Sequence, residues 1–246
     1  MRIVAVIPAR YGSTRFAGKV LAKDTGKYLI QHTYERACQA SRLEQIIIAT
    51  DDEKVLEACK SFGAECVLTS AEHQSGTDRI AEAVRDIDVE IVVNLQADEP
   101  EIDPANIDYL AELLVKNPDY PMATLAAEFK TAEQVADPNI VKVVLDGKGG
   151  AIYFSRSPIP YDRESAGVGQ LGQYLRHLGI YAYRKEFLLK ITTLPQTPLE
   201  KIEKLEQLRA IENGFPILVG KVEHTYDGID TREQYEAFVK RVRQRQ

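Results

Sequence analysis

Tryptophan is absent from this chain of 246 residues, methionine occurs twice and cysteine three times. Cys38, Cys59 and Cys66 form no CxxC pair and are odd in number, which argues against a disulfide framework or a zinc site and for free thiols in a reducing cytosol. A basic excess is also missing: the formal net charge is -6, unlike a general nucleic-acid or membrane-surface binder, which needs a basic face. No stretch approaches the roughly 18 apolar residues of a membrane span. The opening MRIVAVIPAR holds an apolar run too short, and too soon followed by arginine, for a signal peptide. There is no internal repeat, low-complexity tract or linker. The expectation is a cytoplasmic globular protein that binds neither nucleic acid nor membrane, with the 44% hydrophobic and 28% charged residues of an ordinary buried core.

The first hundred residues alternate short apolar runs with amphipathic stretches, the pattern of βαβ units around a mostly parallel sheet with helices on both faces. Strands are expected at 3–7, 45–50, 65–68 and 90–95, and helices at 28–40, 52–62 and 78–86. Beyond these come a helix at 104–116 and a strand at 122–129. The strands 141–145 and 151–154 flank the turn DGKGG, which reads as a hairpin. Residues 157–173, rich in proline and glycine, read as a loop with the composition of a lid. A strand at 178–183, helices at 185–192 and 199–212, a strand at 217–222 and a helix at 232–245 complete the chain. We expect one α/β domain with a nucleotide-binding part at about 1–125, a smaller insertion at about 126–225, and a C-terminal turn and helix at 226–246. Ligands of such sheets bind at the carboxyl ends of the strands, so the loops PARYGSTR, TDDE, TSAEHQSGTD and QADEP are expected to share one rim.

The first loop holds Arg10, Arg15 and Lys19 among Gly12, Ser13, Thr14 and Gly18. Three cations in a glycine-containing turn after a buried strand suit a polyphosphate. The loop is not a Walker A motif, because five residues separate the glycines and Val20 stands where that motif has Ser or Thr. No GxGxxG occurs, which removes a nicotinamide dehydrogenase, and no nucleophile elbow supports a hydrolase. Asp98, at the end of the fourth strand, is placed to hold magnesium, which favours one or two carboxylates plus phosphate oxygens. Taken alone, an Asp-Glu pair there is more often a helix N-cap or a surface turn. Asp227 and Asp230, in YDGID, could supply a second carboxylate, with Asp230 equally readable as part of an N-cap. Arg156, Arg163, Arg176 and His177 form a second, more dispersed basic group suited to an anionic acceptor. His32, His73 and His224 have no metal-ligand spacing with His177.

Nine blocks, in order across nearly the whole chain, carry a resemblance: IPARYGSTRFAGK, IIIATDDEKV, HQSGTDR, VNLQADEP, NIVKVVLD, GAIYFSRSPIPYDR, RHLGIYAYRKEFL, LEKIEKLEQLRAIENG and GIDTREQ. Together they resemble the CMP-Kdo synthetases, the 3-deoxy-manno-octulosonate cytidylyltransferases of lipopolysaccharide-making bacteria. The resemblance implies a Rossmann-like nucleotidyltransferase fold, a homodimer built through the insertion, and Mg2+-dependent transfer of CMP from CTP to Kdo with release of pyrophosphate. It implies that Arg10, Arg15 and Lys19 handle the triphosphate, and that Pro8, Ala9, Ser75, Arg79 and Gln96 line the cytidine pocket. Asp98 and Asp230 match the metal ligands, and Arg156, Arg163, His177, Tyr181, Glu206 and Gln207 match positions that hold the sugar acid. Ala17, Val20 and Ala97 depart from the usual proline, proline and glycine. They remove no charged group, so they are expected to tune affinity. The competing expectations are an amino analogue of Kdo or another acid sugar as acceptor and, from a different class, a nucleotide-binding regulatory module without turnover.

Overall fold

A strand whose residues are apolar on both faces is stable only where helices cover the sheet on both sides, and β1 (Ile3–Ala9) is buried along nearly its whole length. In the computed structural model, which describes residues 1–12, 16–223 and 228–245, β1 is the inner strand of a parallel set. It pairs with β2 (Gln45–Thr50) on one side, Val4 opposite Gln45, and with β4 (Ile91–Asn94) on the other, Ile3 opposite Ile91. β3 (Cys66–Leu68) lies outside β2. The crossovers are α1 (Leu29–Ala37), α2 (Glu53–Ser61) and α3 (Gly76–Val84). Chain order runs outward from β1 to β3 and then jumps back to β4, so the preferred right-handed crossover puts α1 and α2 on one face and α3 on the other. The order reverses between β1 and β4, and a ligand crevice opens at such a reversal. Local chemistry sets the helix starts. Asp52 accepts the Lys54 N–H at 2.7 Å, and Ser75 and Asp78 form a reciprocal capping box.

The chain divides into two compact units, Met1–Asp108 with Tyr226–Gln246, and Tyr109–Thr225. The division falls within α4 (Pro104–Lys116), upstream of the boundary near 125 expected from sequence. In the second unit, β5 (Met122–Glu128) pairs antiparallel with β8 (Leu175–Arg184) and parallel with β9 (Ile217–Lys221). After β5 comes a short helix, α5 (Ala132–Ala136), which the sequence reading lacks; Thr131 caps it. The hairpin around DGKGG is present, with β6 (Lys142–Leu145) antiparallel to β7 (Ala151–Ser155). Asp146 Oδ1 accepts the N–H groups of Lys148 and Gly150, both at 2.8 Å, and closes the turn. The loop 157–173 has its own internal tie, a reciprocal backbone pair between Asp162 and Gly167 at 2.9 and 3.0 Å.

Two further differences concern β8 and the helices that follow. β8 begins at Leu175, three residues earlier than expected, and a register shift interrupts its pairing with β5 between Thr124 and Leu125. The buried Thr124 hydroxyl fills that bulge, lying 2.7 Å from the Ile180 carbonyl and 3.1 Å from that of Leu178. After α6 (Lys185–Ile191), the single helix expected at 199–212 is two, α7 (Pro198–Glu203) and α8 (Leu208–Glu212). They separate at Lys204, whose φ of 54° is left-handed. The last helix, α9 (Arg232–Gln244), belongs to the first unit.

A left-handed backbone costs an L-residue roughly 1–2 kcal/mol, part of which glycine returns as extra freedom in the unfolded chain. Lys204→Gly is therefore expected to stabilise the protein by about 0.5–1 kcal/mol, read as a higher urea midpoint at unchanged slope. A lower midpoint would contradict this account of the break.

Candidate functional site

A cleft of about 400 Å³ opens in the first unit where β1 and β4 end. The end of β1 contributes Pro8, Arg10 and Gly12, the approach to α3 contributes Gln74, Ser75 and Gly76, and the loop after β4 contributes Gln96, Ala97 and Asp98. Lys19 and Val20 come from a single 3-10 turn, Lys19–Leu21. That turn is reached through Gly18 at φ 66°, where an added Cβ would meet the Tyr11 ring at 3.4 Å. Glycine thus lets this loop curl back and present Lys19 to the cleft.

Lys19 is 8% exposed. Its ammonium lies 2.6 Å from Asp98 Oδ2 and 3.3 Å from Asp230 Oδ1. The main chain joins the same two segments, since the Ile229 N–H donates to the Asp98 carbonyl at 2.8 Å. Both carboxylates escape the capping alternative. Asp103 accepts the Ala105 N–H at 3.0 Å at the start of α4, and Thr231 with Gln234 forms the box that caps α9. The Asp98 and Asp230 carboxylates meet the Lys19 ammonium, and an ammonium between two carboxylates marks where a cation is stabilised. Among the described residues no group of three or more His, Cys, Asp or Glu is arranged for a metal. Two carboxylates suit magnesium, which completes its shell with water and phosphate oxygens.

Arg10 faces the cleft and donates to the His73 carbonyl at 2.9 Å, tying the first loop to the one before α3. His73 contacts Glu82, whose carboxyl is held below its ordinary range, first by the Ser70 N–H and then by His73. Gln96 donates to Asn94 Oδ1 at 3.2 Å. Ala9 is fully buried in β1. Arg79 does not line the cleft as expected from the resemblance. It is 0% exposed, with Nη2 2.6 Å from Asp51 Oδ2 and Nη1 2.5 Å from Thr69 Oγ1. Its charge thus braces the ends of β2 and β3 from within. Arg15 and Asp227 lie outside the described residues, as does His224. Gln74, Gly76 and the His73 carbonyl were missed in the sequence. A helix N-terminus on the rim was their only signal, and a backbone acceptor carries none.

The six residues expected from the resemblance to hold the sugar acid lie in the second unit. His177 and Tyr181 both lie on β8, their ring centroids 5.4 Å apart, and Phe154 meets His177 edge-on at 4.8 Å. His177 Nε2 lies 3.0 Å from Thr124 Oγ1. A hydroxyl has one proton, and Thr124 gives it to a carbonyl of the bulge, so its contact with His177 is as acceptor. The neutral imidazole therefore carries its proton on Nε2 and leaves Nδ1 as an acceptor. Burial pushes its pKa down to about 3, which removes it as a general base near neutrality. Arg156 commits Nε to the Glu203 carbonyl at 2.7 Å and Nη1 to the Pro138 carbonyl at 2.9 Å. Arg163 is exposed on the 157–173 loop. Glu206 lies 3.9 Å from Arg209. Gln207 is buried, and its Nε2 has no hydrogen-bond partner among the described residues.

The Cytidylyltransferase family model matches residues 4–222. A 3-deoxy-manno-octulosonate cytidylyltransferase from Solibacter usitatus is 52% identical over 96% of this chain and 92% of its own. One from Syntrophotalea carbinolica is 47% identical over 95% of each. Among solved structures, a CMP:2-keto-3-deoxy-manno-octonic acid synthetase complexed with CTP superposes with a TM-score of 0.94 at 41% identity, covering 100% of both chains.

The depressed pKa of His177 has a definite sign. The unfolded imidazole takes up a proton below pH 6.5 and the folded one does not, so the stability from keeping it neutral is full above pH 6.5 and lost as pH falls toward 3. The His177 ring proton resonances are expected to stay fixed between pH 8 and 5 in an NMR titration. A midpoint near 6.5 would refute the buried neutral ring.

Proposed function

The chain belongs to the 3-deoxy-manno-octulosonate cytidylyltransferase family, and on that footing we propose that it transfers CMP from CTP to 3-deoxy-D-manno-octulosonate (Kdo), releasing pyrophosphate, with Lys19, Asp98 and Asp230 as its catalytic centre. The observation that carries this reading is the convergence of one ammonium and two carboxylates at the rim where β1 and β4 end. The acceptor's anomeric hydroxyl attacks the α-phosphorus, the bond to the bridging oxygen breaks, and pyrophosphate leaves. Positioning and charge neutralisation do most of the work in such a displacement. Arg10, Arg15 and Lys19 offset the triphosphate charge as it shifts toward the leaving group.

Asp98 and Asp230 would hold Mg2+, which when bound supplies Lewis-acid polarisation of the phosphoryl oxygens and a lowered pKa for the attacking hydroxyl. Lys19 holds both carboxylates in place until the nucleotide's phosphates offer it new partners. Pro8, Ala9, Ser75 and Gln96 form the cytidine end, and Arg79 shapes that end from behind through Asp51 and Thr69. Arg156, Arg163, His177, Tyr181, Glu206 and Gln207 hold the sugar acid, the Nδ1 of a neutral His177 accepting from a hydroxyl. The unpartnered Gln207 amide supports this role, since a buried donor without an acceptor costs about 1–3 kcal/mol unless a ligand satisfies it.

We further assign the second unit to pairing with a second copy, because it exposes Ile152 at 56%, Tyr161 at 68% and Ile202 at 77%. No helix among the described residues is long and apolar enough to cross a membrane, and the reaction is assigned to the cytoplasm, where CTP is made.

Pyrophosphate release measured with CTP, UTP, ATP and GTP against Kdo and its 8-amino analogue should be fastest with CTP and Kdo in the presence of magnesium. Lys19→Ala and Asp98→Asn should each lower turnover by about 100-fold or more. Near wild-type turnover in either variant would refute the assigned roles. Sedimentation equilibrium should give twice the chain mass, and Ile202→Glu should shift it toward one.

A further inference from the structure

We infer that Glu101 is a positioning residue for the Asp98–Asp230 pair, acting through α9; the inference rests on the metal role proposed above. Glu101 lies three residues beyond Asp98 in a loop built of two successive turns, in which Glu99 N–H donates to the Gln96 carbonyl and Ile102 N–H to the Glu99 carbonyl, both at 3.2 Å. Its side chain is only 6% exposed, and a carboxylate so enclosed is held only where cations meet it. Both cations come from the C-terminal end of α9, Arg241 from its last turn and Arg245 as its C-cap. Arg241 Nε donates to Glu101 Oε2 at 3.0 Å, and Arg245 Nη2 lies 3.0 Å from Oε1.

The other end of α9 begins two residues after Asp230, which directly precedes the Thr231 cap. The helix is therefore a strut: its start carries one carboxylate of the pair, and its end grips the loop that carries the other. The strut is fixed along its length, with Tyr235, Phe238 and Val239 packed on Leu29 and Ile229, and the Tyr235 hydroxyl accepting the Asp24 N–H at 2.8 Å. At the far side of the loop, Arg36 Nε holds the Ile102 carbonyl at 2.8 Å. Two turns and a helix are stiff on the length scale of the site, so the Glu101 clamp fixes how far Asp98 stands from Asp230. A divalent ion is more sensitive to that spacing than Lys19, whose flexible stem can follow either carboxylate. Nothing in the local sequence marks Glu101 for this role, since its partners lie 140 and 144 residues away.

The test is manganese binding, followed by the free-ion electron paramagnetic resonance signal in the presence of CTP, alongside CTP affinity measured without metal. Glu101→Gln should raise the manganese dissociation constant roughly 10-fold, the range seen when the groups that orient metal ligands are removed, and leave metal-free CTP affinity within about twofold. Arg245→Gln, which removes one exposed partner, should give a smaller rise of the same kind. If Glu101→Gln does not fold, Arg245→Gln and Arg241→Lys decide by the same criterion. Unchanged manganese affinity beside a metal-binding wild type overturns the inference alone, as does an equal loss of metal-free CTP affinity. A wild-type protein that binds no manganese with CTP overturns the metal reading and the inference with it.

Discussion

One ammonium group holds together three stretches of chain that are far apart in sequence. Lys19 reaches 79 residues forward to Asp98 and 211 residues forward to Asp230. Two carboxylates placed this close to one another would repel by a few kcal/mol at an effective dielectric near 20, and the cation between them converts that repulsion into attraction. The arrangement still has one negative charge in excess, so it invites a further cation as soon as the lysine finds other anions. The parallel strands make the convergence possible. β1 and β4 are neighbours in the sheet and end side by side, so the loop bearing Lys19 and the loop bearing Asp98 emerge at the same rim.

Much of the first unit was legible because local signals agreed with one another. Ile3–Ala9 is apolar throughout, as a strand covered on both faces must be, whereas the start of α3 at Gly76, two residues before the expected Asp78, is set by the Ser75 cap. The break at Lys204 was not legible, because residues 199–212 contain only helix-compatible side chains with continuous apolar periodicity. Tertiary demands separate α7 from α8 there. The Glu203 carboxylate and carbonyl are both taken by Ser155 and Arg156, while Leu205 and Leu208 are drawn into the core. Of the site, the charges could be read and their partners could not. Arg79 looked like a ligand-facing cation, and only the fold shows Asp51, 28 residues earlier, enclosing it.

The second unit solves a different problem, that of fixing buried polar groups without carboxylate partners. A single threonine hydroxyl fills the β8 bulge and sets the His177 tautomer at the same time. Lys142 does similar work nearby: it is fully buried, and its ammonium donates to the carbonyls of Asp137 at 3.0 Å, Ile140 at 2.8 Å and Arg156. Burial lowers its pKa, as expected for a cation satisfied by carbonyl dipoles in place of carboxylates. Both devices fix the backbone around residues assigned to the acceptor and leave their own charge out of the chemistry.

The first unit is discontinuous, its last helix being separated from the rest of it by the whole of the second. During synthesis the strands β1 to β4, the loop bearing Lys19 and Asp98 are all made before Asp230 exists. A nascent chain that has completed its first hundred residues therefore carries Lys19 and only one of the two carboxylates it meets, and no α9 to grip Glu101. The meeting of Lys19 with both carboxylates, and the grip of α9 on Glu101, therefore wait for the last twenty or so residues.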